Sequence, residues 1–169
     1  YQQVIDVLQE QGYFFVQSGA TGGPHIQPKL QRVIREVGDK DLRKMFAEIK
    51  LAAGVLCPIT SAMHIAAALD RKCVVVAGGR EEPWWEAYRN DTGGFPSDTP
   101  VVVEHLYLNT IGKMPCCQHN GCWLSLRPQD GTGKVCTNMA PRPLVGYHLP
   151  ACLDSITVSD VVSAVLSLQ

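Results

Sequence analysis

The sequence predicts an α/β fold, in which a parallel β-sheet is covered by α-helices on both faces. Three observations lead to this prediction. Helical and strand patterns alternate along residues 1–106, the strands between residues 54 and 79 are almost entirely apolar, and a turn containing glycine or proline follows each of them. Strands that are apolar throughout are typical of parallel sheets whose two faces are both buried.

The amino-terminal elements follow from periodicity and β-propensity. Residues 2–11 have the pattern of a short helix, "YFFVQ" (13–17) that of a buried strand, and "RVIREV" (32–37) that of a second short strand. Asp39 or Asp41 can cap the helix that follows. Its apolar residues recur at the spacing of a helix that lies on a core, and they are Leu42, Met45, Phe46, Ile49 and Ala53.

The later elements alternate regularly. "GVLCP" (54–58) is predicted to be a strand that stops at its proline, and Thr60 or Ser61 can cap the next helix, "SAMHIAAAL". Two further strands are predicted, "KCVVVAGG" (72–79) and "PVVVEHL" (100–106). The carboxyl-terminal "ITVSDVVSAVLSL" is predicted to be a helix, with Thr157 three residues before Asp160 as in a capping box.

Composition and charge argue against two classes of function. The chain of 169 residues has a net charge of −1 and scattered basic residues, unlike a protein that binds nucleic acid. No apolar run approaches the roughly 20 residues of a membrane-spanning helix. The chain opens at Tyr1 with neither an initiator Met nor a signal-peptide pattern, and we interpret it as a fragment of a longer protein.

Two turns between a strand and a helix are candidate ligand sites, because ligands of open parallel sheets bind at the carboxyl ends of the strands. In the first turn, free N–H groups at residues 60–63 and the dipole of the following helix suit a phosphate group. Thr60 and Ser61 add hydroxyl donors, Ala62 leaves room for a ligand, and His64 lies one turn into the helix. In the alternative interpretation, Thr60 only caps the helix and His64 is simply part of an apolar helix.

The second candidate turn, "AGGREEPWWEAY", follows the next predicted strand. Gly78 and Gly79 permit the backbone to approach a ligand closely. The guanidinium of Arg80 can bind phosphate through two hydrogen bonds, and Glu81 or Glu82 can accept hydrogen bonds from ribose hydroxyls. Together, two such turns on adjacent strands favour a nucleotide-type ligand.

The stretch from residue 38 to residue 88 resembles the carboxyl-terminal domain of glycosyltransferase family 9, the heptosyltransferase-like enzymes of GT-B fold. That family carries the loop Asp-Ser/Thr-Gly-Pro-x-His-x-Ala-Ala-Ala, which holds the diphosphate of the sugar nucleotide. The residues that fall on this loop here are Ile59, Thr60, Ser61, Ala62, Met63, His64 and 66–68. Two positions depart from the family pattern, because Ile59 replaces the Asp that contacts the donor sugar and Ser61 replaces the Gly.

The resemblance implies a Rossmann-like half of a GT-B enzyme that binds an ADP-type nucleotide sugar such as ADP-heptose. The diphosphate leaving group would be stabilised by loop amides and Arg80, without a catalytic metal. An amino-terminal GT-B domain outside this chain would supply the acceptor contacts and the general base, so this chain alone would be inactive in hexosyl or heptosyl transfer. The implied setting is lipopolysaccharide biosynthesis, in the cytoplasm or peripherally at the inner membrane.

Five of the seven cysteines lie in residues 107–156, which have little hydrophobic periodicity. They are Cys116, Cys117, Cys122, Cys136 and Cys152. Three interpretations compete: free thiols that pack as small apolar groups, disulfides, which need an oxidising compartment, and a metal site. Cys57 and Cys73 lie on predicted strands and are expected to be core residues.

A metal site is the favoured interpretation, because coordination can replace a hydrophobic core in an irregular segment. Cys122, Cys136 and Cys152 are the firmer ligands, with Cys117 or Cys116 as the fourth. His119 and His148 are alternative ligands. Four thiolates suit zinc or a single iron in a structural role. The tails of some family 9 transferases are similar in carrying a four-cysteine iron site, although with different spacings.

The chain is expected to form one domain in three parts. Residues 1–106 form the nucleotide-sugar-binding core, 107–156 the cysteine-rich metal-binding segment, and 157–169 a helix that packs back on the core. The favoured function is donor binding in a glycosyltransferase. The rival function is that of a degenerate transferase domain, stabilised by a metal, that acts as an assembly or binding module. The presence of Ile59 in place of the family Asp favours this alternative. A zinc ribbon for nucleic acid is disfavoured by the lack of a basic patch.

Overall fold

The computed structural model describes residues 1–20, 28–38, 41–83, 105–124, 135–140 and 149–168. The helices are α1 (Gln2–Gln9), α2 (Leu42–Leu51), α3 (Ser61–Ala68), α4 (Ala151–Asp154) and α5 (Val158–Ser167), with a 3₁₀ turn at Pro115–Cys117. The strands are β1 (Val16–Gly19), β2 (Ile34–Val37), β3 (Gly54–Pro58), β4 (Lys72–Gly78) and β5 (His105–Asn109). Within the described ranges, no helix has the length and apolarity to cross a membrane.

The strands pair in parallel, as predicted. β3, β4 and β5 form one sheet in that order, and β1 and β2 form a separate parallel pair. Pro58 is the register partner of Val76, and Gly78 is the partner of Asn109. The carboxyl ends of the three strands therefore meet at one edge of the sheet, where the turns that follow them begin.

Helices cover both faces of the three-stranded sheet, which confirms the predicted fold class. On one face, Ile49 of α2 and Met63 of α3 pack with Cys57, Cys73 and Val75. On the other face, α1 and α5 pack against alternate strand residues, among them Leu56, Val74, Val76 and Leu108. Because successive side chains of a strand point to opposite faces, a strand buried on both sides is apolar throughout.

Two helix starts are capped as the sequence predicts. The Asp41 side chain accepts a hydrogen bond from Arg43 N at 3.0 Å at the start of α2. At the start of α5, Thr157 Oγ1 accepts from Asp160 N at 3.1 Å, and Asp160 Oδ2 accepts from Thr157 N at 2.8 Å. These two reciprocal bonds complete the predicted capping box.

The prediction of a buried strand at residues 13–17 is wrong in its position and in its burial. The strand is Val16–Gly19, and Phe14 is 93% exposed and Val16 51% exposed. Tyr13 and Phe15, which alternate with them, pack in the core beneath α1 and α5. Aromatic residues favour a strand whichever face they lie on, but here helices cover only the face that carries Tyr13 and Phe15.

The predicted apolar stripe of α2 is also only partly buried. Ile49 is 7% exposed, whereas Leu42 is 60% exposed. Of the predicted strand at residues 100–106, only residues 105 and 106 belong to the described part, where β5 begins at His105 and continues to Asn109. Asp39 and His148 lie outside the described residues.

Candidate functional site

The turn after β3 leads directly into α3. The strand ends at Pro58, and Thr60 stands at the N-cap position with extended backbone angles, φ −152° and ψ 175°. Its side chain makes no capping hydrogen bond within the described structure, because Oγ1 instead donates to Pro58 O at 3.3 Å. The first N–H groups of a helix have no acceptor within the helix. At the start of α3, the amides of Ser61 and Ala62 are therefore not capped by the Thr60 side chain.

The side chains of this first turn divide between solvent and core. Ser61 and His64 are exposed, and Ala62 is half-buried. Met63 is fully buried at 0% exposure, and its sulfur accepts a hydrogen bond from Tyr107 Oη at 3.4 Å. The Met63 N–H donates to Thr60 O at 3.0 Å, so the prediction of a free amide is wrong at this residue. Ser61, Ala62 and His64 are thus the predicted site residues whose side chains remain at the edge of the sheet, while that of Met63 belongs to the core.

The turn after β4 is packed against the cysteine-rich segment. Gly78 has φ +69°, and a Cβ there would lie 2.8 Å from Leu153 Cδ2. A Cβ on Gly79 would lie 2.6 Å from Cys117 Sγ, closer than such contacts come in proteins. Both glycines therefore have a packing role within the chain, whereas the sequence pattern predicted the close approach of a ligand.

Backbone hydrogen bonds continue this contact beyond the glycines. Gly79 O accepts from Cys122 N at 3.1 Å, and Arg80 O accepts from Trp123 N at 3.0 Å. A Cβ on Gly121 would lie only 2.6 Å from Arg80 O. Residues 121–124 therefore lie directly against residues 79–81, and their backbone groups satisfy each other.

The two charged residues of this turn are engaged with each other. The Arg80 guanidinium forms an ion pair with the Glu81 carboxylate, and Arg80 Nε donates to Leu124 O at 3.1 Å. The side chain of Arg80 is 48% exposed and that of Glu81 is 9% exposed. Part of the guanidinium thus faces solvent, while the carboxylate is covered and its main chain is held by Asn109 Nδ2 at 3.3 Å from Glu81 O.

The two neighbouring cysteines of the 3₁₀ turn have different surroundings. Cys117 is 1% exposed, and its thiol donates to Thr110 O at 3.6 Å. Cys116 is exposed, with Asn138 Nδ2 at 4.0 Å from its sulfur. Cys136 donates to Asn138 O at 3.7 Å. Asn138 therefore touches two of the cysteines, a role that the sequence analysis missed.

The cysteine-rich segment brings its thiols into electrostatic contact. Burial raises the pKa of the Cys122 thiol, a backbone hydrogen bond at Leu124 lowers it, and the neighbouring Cys116, Cys152 and Cys136 raise it further. Burial also raises the pKa of Cys117, with further contributions from Cys116, Cys122 and Cys152. Across the described ranges, no group of three or more His, Cys, Asp or Glu side chains is placed to hold a metal ion. The thiols are neighbours, but in this conformation they do not form a ligand set.

Two observations bear on whether a metal fits here. Thr110 is 0% exposed, and its Oγ1 has no hydrogen-bond partner among the described residues. A Cβ on Gly79 would lie 3.2 Å from this hydroxyl and 2.6 Å from Cys117 Sγ, so glycine is needed where the cluster meets β4. Five thiols suit a cation that binds thiolates. The residues present are therefore of a type that binds such an ion, although the described side chains are not arranged around a common position.

Cys57 and Cys73 lie in the core, as expected. They are 6% and 0% exposed, and their sulfur atoms are 3.7 Å apart on neighbouring strands. The hydrogen bond with Cys57, followed by burial, raises the pKa of the Cys73 thiol. The Cys73 thiol therefore stays protonated, and both cysteines pack as small apolar groups.

No protein-family model, no curated protein and no solved structure matches this chain.

Proposed function

We propose that this chain is the donor-binding half of a glycosyltransferase, and that it binds the diphosphate of an ADP-type nucleotide sugar. The observation that carries the proposal is the uncapped start of α3 at the carboxyl edge of the parallel sheet. An anion placed there accepts hydrogen bonds from the first-turn amides and gains from the positive end of the helix dipole. The resemblance of residues 38–88 to family 9 transferases supports the same ligand.

The residues of the first turn have distinct roles in this proposal. The amides of Ser61 and Ala62 bind the diphosphate, and the exposed Ser61 hydroxyl adds a donor. His64 lies one turn further, on the exposed side of α3. In the transfer reaction, these groups would stabilise negative charge as it develops on the departing diphosphate. The general base and the acceptor contacts belong to an amino-terminal domain, and no residue of this chain is assigned to them.

Arg80 adds a weaker, charge-assisted contact in this proposal. Its guanidinium is held by Glu81 and by Leu124 O, and 48% of its side chain faces solvent. A hydrogen bond that involves a charged group contributes about 1.5–3 kcal/mol. Two or three such contacts, without the second wall of a closed cleft, give a dissociation constant of about 0.1–1 mM.

A binding or assembly module without transfer activity is the second candidate function. It is favoured by the turn after β4, where Gly79 and Arg80 are packed against the cysteine-rich segment. It is also favoured by Ile59, which stands where the family has an Asp that contacts the donor sugar. In this alternative, the sheet edge is a scaffold for the cysteine-rich segment and binds no nucleotide.

Titration with ADP, followed by amide chemical shifts of the labelled chain, tests the proposal. We expect saturable shifts at residues 60–64, with smaller shifts at 78–82. Ser61→Asp places a carboxylate among the first-turn amides, where it competes with phosphate, and it should weaken binding about tenfold or more. Ser159→Asp is the matched control, because Ser159 is an exposed serine in the first turn of the capped helix α5. It should change the affinity less than about twofold.

Arg80→Ala should weaken ADP binding by a smaller factor than Ser61→Asp, with Arg43→Ala as its control. Arg43 lies at the start of α2, which Asp41 caps. Shifts that occur nowhere near residues 60–64 at millimolar ADP or UDP would refute the donor-binding proposal and leave the assembly module. Equal losses in Ser61→Asp and Ser159→Asp would show that binding is not at α3.

A further inference from the structure

Five cysteines gather beside the end of β4. Cys152 Sγ would lie 3.4 Å from a Cβ on Gly78, and Cys117 Sγ would lie 2.6 Å from a Cβ on Gly79. Cys122 N donates to Gly79 O at 3.1 Å. Three cysteines from two separate parts of the chain, residues 117–122 and the helix α4, therefore lie against two consecutive glycines.

The remaining two cysteines are joined to this group through Asn138. Ala151 N donates to Asn138 O at 2.9 Å, which ties the segment of Cys136 to the helix that carries Cys152. The neighbouring Met139 and Pro150 form an antiparallel bridge. Asn138 Nδ2 lies 4.0 Å from Cys116 Sγ, so the same residue also reaches the 3₁₀ turn. Residues 136–140 thus contact both Cys116 and the start of the helix that carries Cys152.

The adjacent Cys116 and Cys117 can be separated by what each sulfur touches. The Cys117 thiol is a hydrogen-bond donor to Thr110 O and is buried beneath Gly79. Gly79 and Thr110 therefore fill the space around the Cys117 sulfur, and this residue is only 1% exposed. Cys116 Sγ is the acceptor in its contact with Asn138 and is open to solvent. Amide N–H donors of this kind orient and stabilise metal-bound ligands from outside the coordination sphere.

The segment also lacks the apolar interior that would stabilise it alone. In the described parts of residues 111–140, the buried apolar side chains are Cys117, Cys136 and Ala140. Two of these three are cysteines, so hydrophobic burial contributes little here. Where a segment has no core of its own, metal coordination can supply the folding free energy instead.

We propose that Cys116, Cys122, Cys136 and Cys152 hold one zinc or iron ion through four thiolates, and that Cys117 is a packing residue. Four sulfur ligands form a closed tetrahedral site, which is structural because no position is left open for a substrate. Binding draws the four sulfur atoms together from their present neighbouring positions. This proposal is independent of nucleotide binding.

Metal analysis of the full chain, purified without chelator, tests the site directly. We expect close to one equivalent of zinc or iron per chain, and elemental analysis distinguishes the two metals. The metal-free chain is then titrated with Co²⁺ under reducing conditions, and its affinity is measured by competition with a chelator. Tetrahedral cobalt bound to thiolates is recognised by its sulfur-to-metal absorption.

The adjacent cysteines provide the matched pair of variants. Cys116→Ser should lower the Co²⁺ affinity more than about 100-fold, because loss of a ligand costs more than loss of an outer contact. Cys117→Ser should keep one equivalent and an affinity within about tenfold of the parent chain. Cys57→Ser, in the core, should leave metal binding unchanged. The reverse pattern for Cys116 and Cys117 would overturn the assignment.

A further variant keeps the test decisive if Cys116→Ser does not fold. Asn138→Ala removes the donor to Cys116 without removing a thiol, and it should lower the Co²⁺ affinity about 10- to 100-fold. An unchanged affinity and absorption in Asn138→Ala would contradict the role of Cys116. Absence of metal from the parent chain, with the thiols of Cys116, Cys122 and Cys152 reactive in the folded protein or lost to disulfides, would overturn the site altogether.

Discussion

The turns after β3 and β4 look alike in the sequence and differ in the structure. Each follows an apolar parallel strand, and each contains small residues beside potential phosphate ligands. The turn after β3 ends at an exposed serine and an uncapped helix start. The turn after β4 is covered, since Gly79 contacts Cys117 and Arg80 O accepts from Trp123 N.

This difference shows that a glycine pair at a strand end does not by itself indicate a ligand site. A glycine lets any group approach the backbone closely, whether that group belongs to a ligand or to another part of the chain. At Gly79 the approaching group is a cysteine sulfur. The stronger indication of an anion site is at Thr60, whose hydroxyl bonds back to Pro58 O and leaves the amides of α3 uncapped.

The largest effect is expected from filling the space at the covered turn. Gly79→Ala places a methyl group 2.6 Å from Cys117 Sγ, so the two segments must separate. We expect the free energy of unfolding, measured in urea, to fall by about 1–3 kcal/mol. Gly38→Ala is the control, because a Cβ there has no neighbour within 4 Å among the described atoms. It should be neutral or stabilising by up to about 1 kcal/mol.

The contact with Cys117 predicts non-additivity at the same turn. In the double variant of Gly79→Ala and Cys117→Ala, the loss should be smaller than the sum of the two single losses. Additive losses would mean that the two segments are not in contact, and the comparison between the turns would fail.

An intermediate effect should distinguish the two threonines at helix starts. Thr157→Ala removes the cap of α5 and should lower the free energy of unfolding by about 1 kcal/mol. Thr60→Ala removes a hydroxyl that does not cap a helix. It should lower the free energy of unfolding by at most about 0.3 kcal/mol. Urea unfolding of both variants measures the difference. Equal losses would indicate that Thr60 caps α3 after all, and the start of α3 would then not be open to an anion.

The smallest effect concerns pH at the capped start of α5. Hydrogen bonds from the Thr157 backbone and side chain lower the pKa of the exposed Asp160 carboxyl below its ordinary value. A lowered pKa means that the ionised carboxylate favours the folded state. This contribution is present above the unfolded pKa, near 4, and is lost as pH falls through the folded value.

Asp160→Asn should therefore show a weaker decrease in the free energy of unfolding than the parent chain between about pH 5 and pH 3. Asp41→Asn at the start of α2 provides a second capped helix for comparison, because the amide oxygen of Asn can still accept the bond from Arg43 N. If Asp160→Asn and the parent chain lose stability in parallel over this range, the carboxylate is not stabilised by Thr157.

Much of the fold follows from local patterns. The bounds of β3 at Gly54 and Pro58, the capping box of Thr157 and Asp160, and the burial of Cys73 agree with the predictions. Each depends on residues within a few positions of one another or on the apolar run of a single strand. The burial of residues 13–17 could not be inferred in this way, because the exposure of Phe14 depends on which helices reach that face.

By itself, the sequence determined the alternation of strands and helices, the parallel sheet and the positions of the turns, because backbone propensity and hydrophobic period are local properties. Only the tertiary structure decided which turn is open and which neighbouring cysteine is buried. Arg80 is held by Leu124 O across 44 positions, and Cys117 lies beneath Gly79. Contacts between segments so far apart depend on how the elements pack, and no local pattern contains that information.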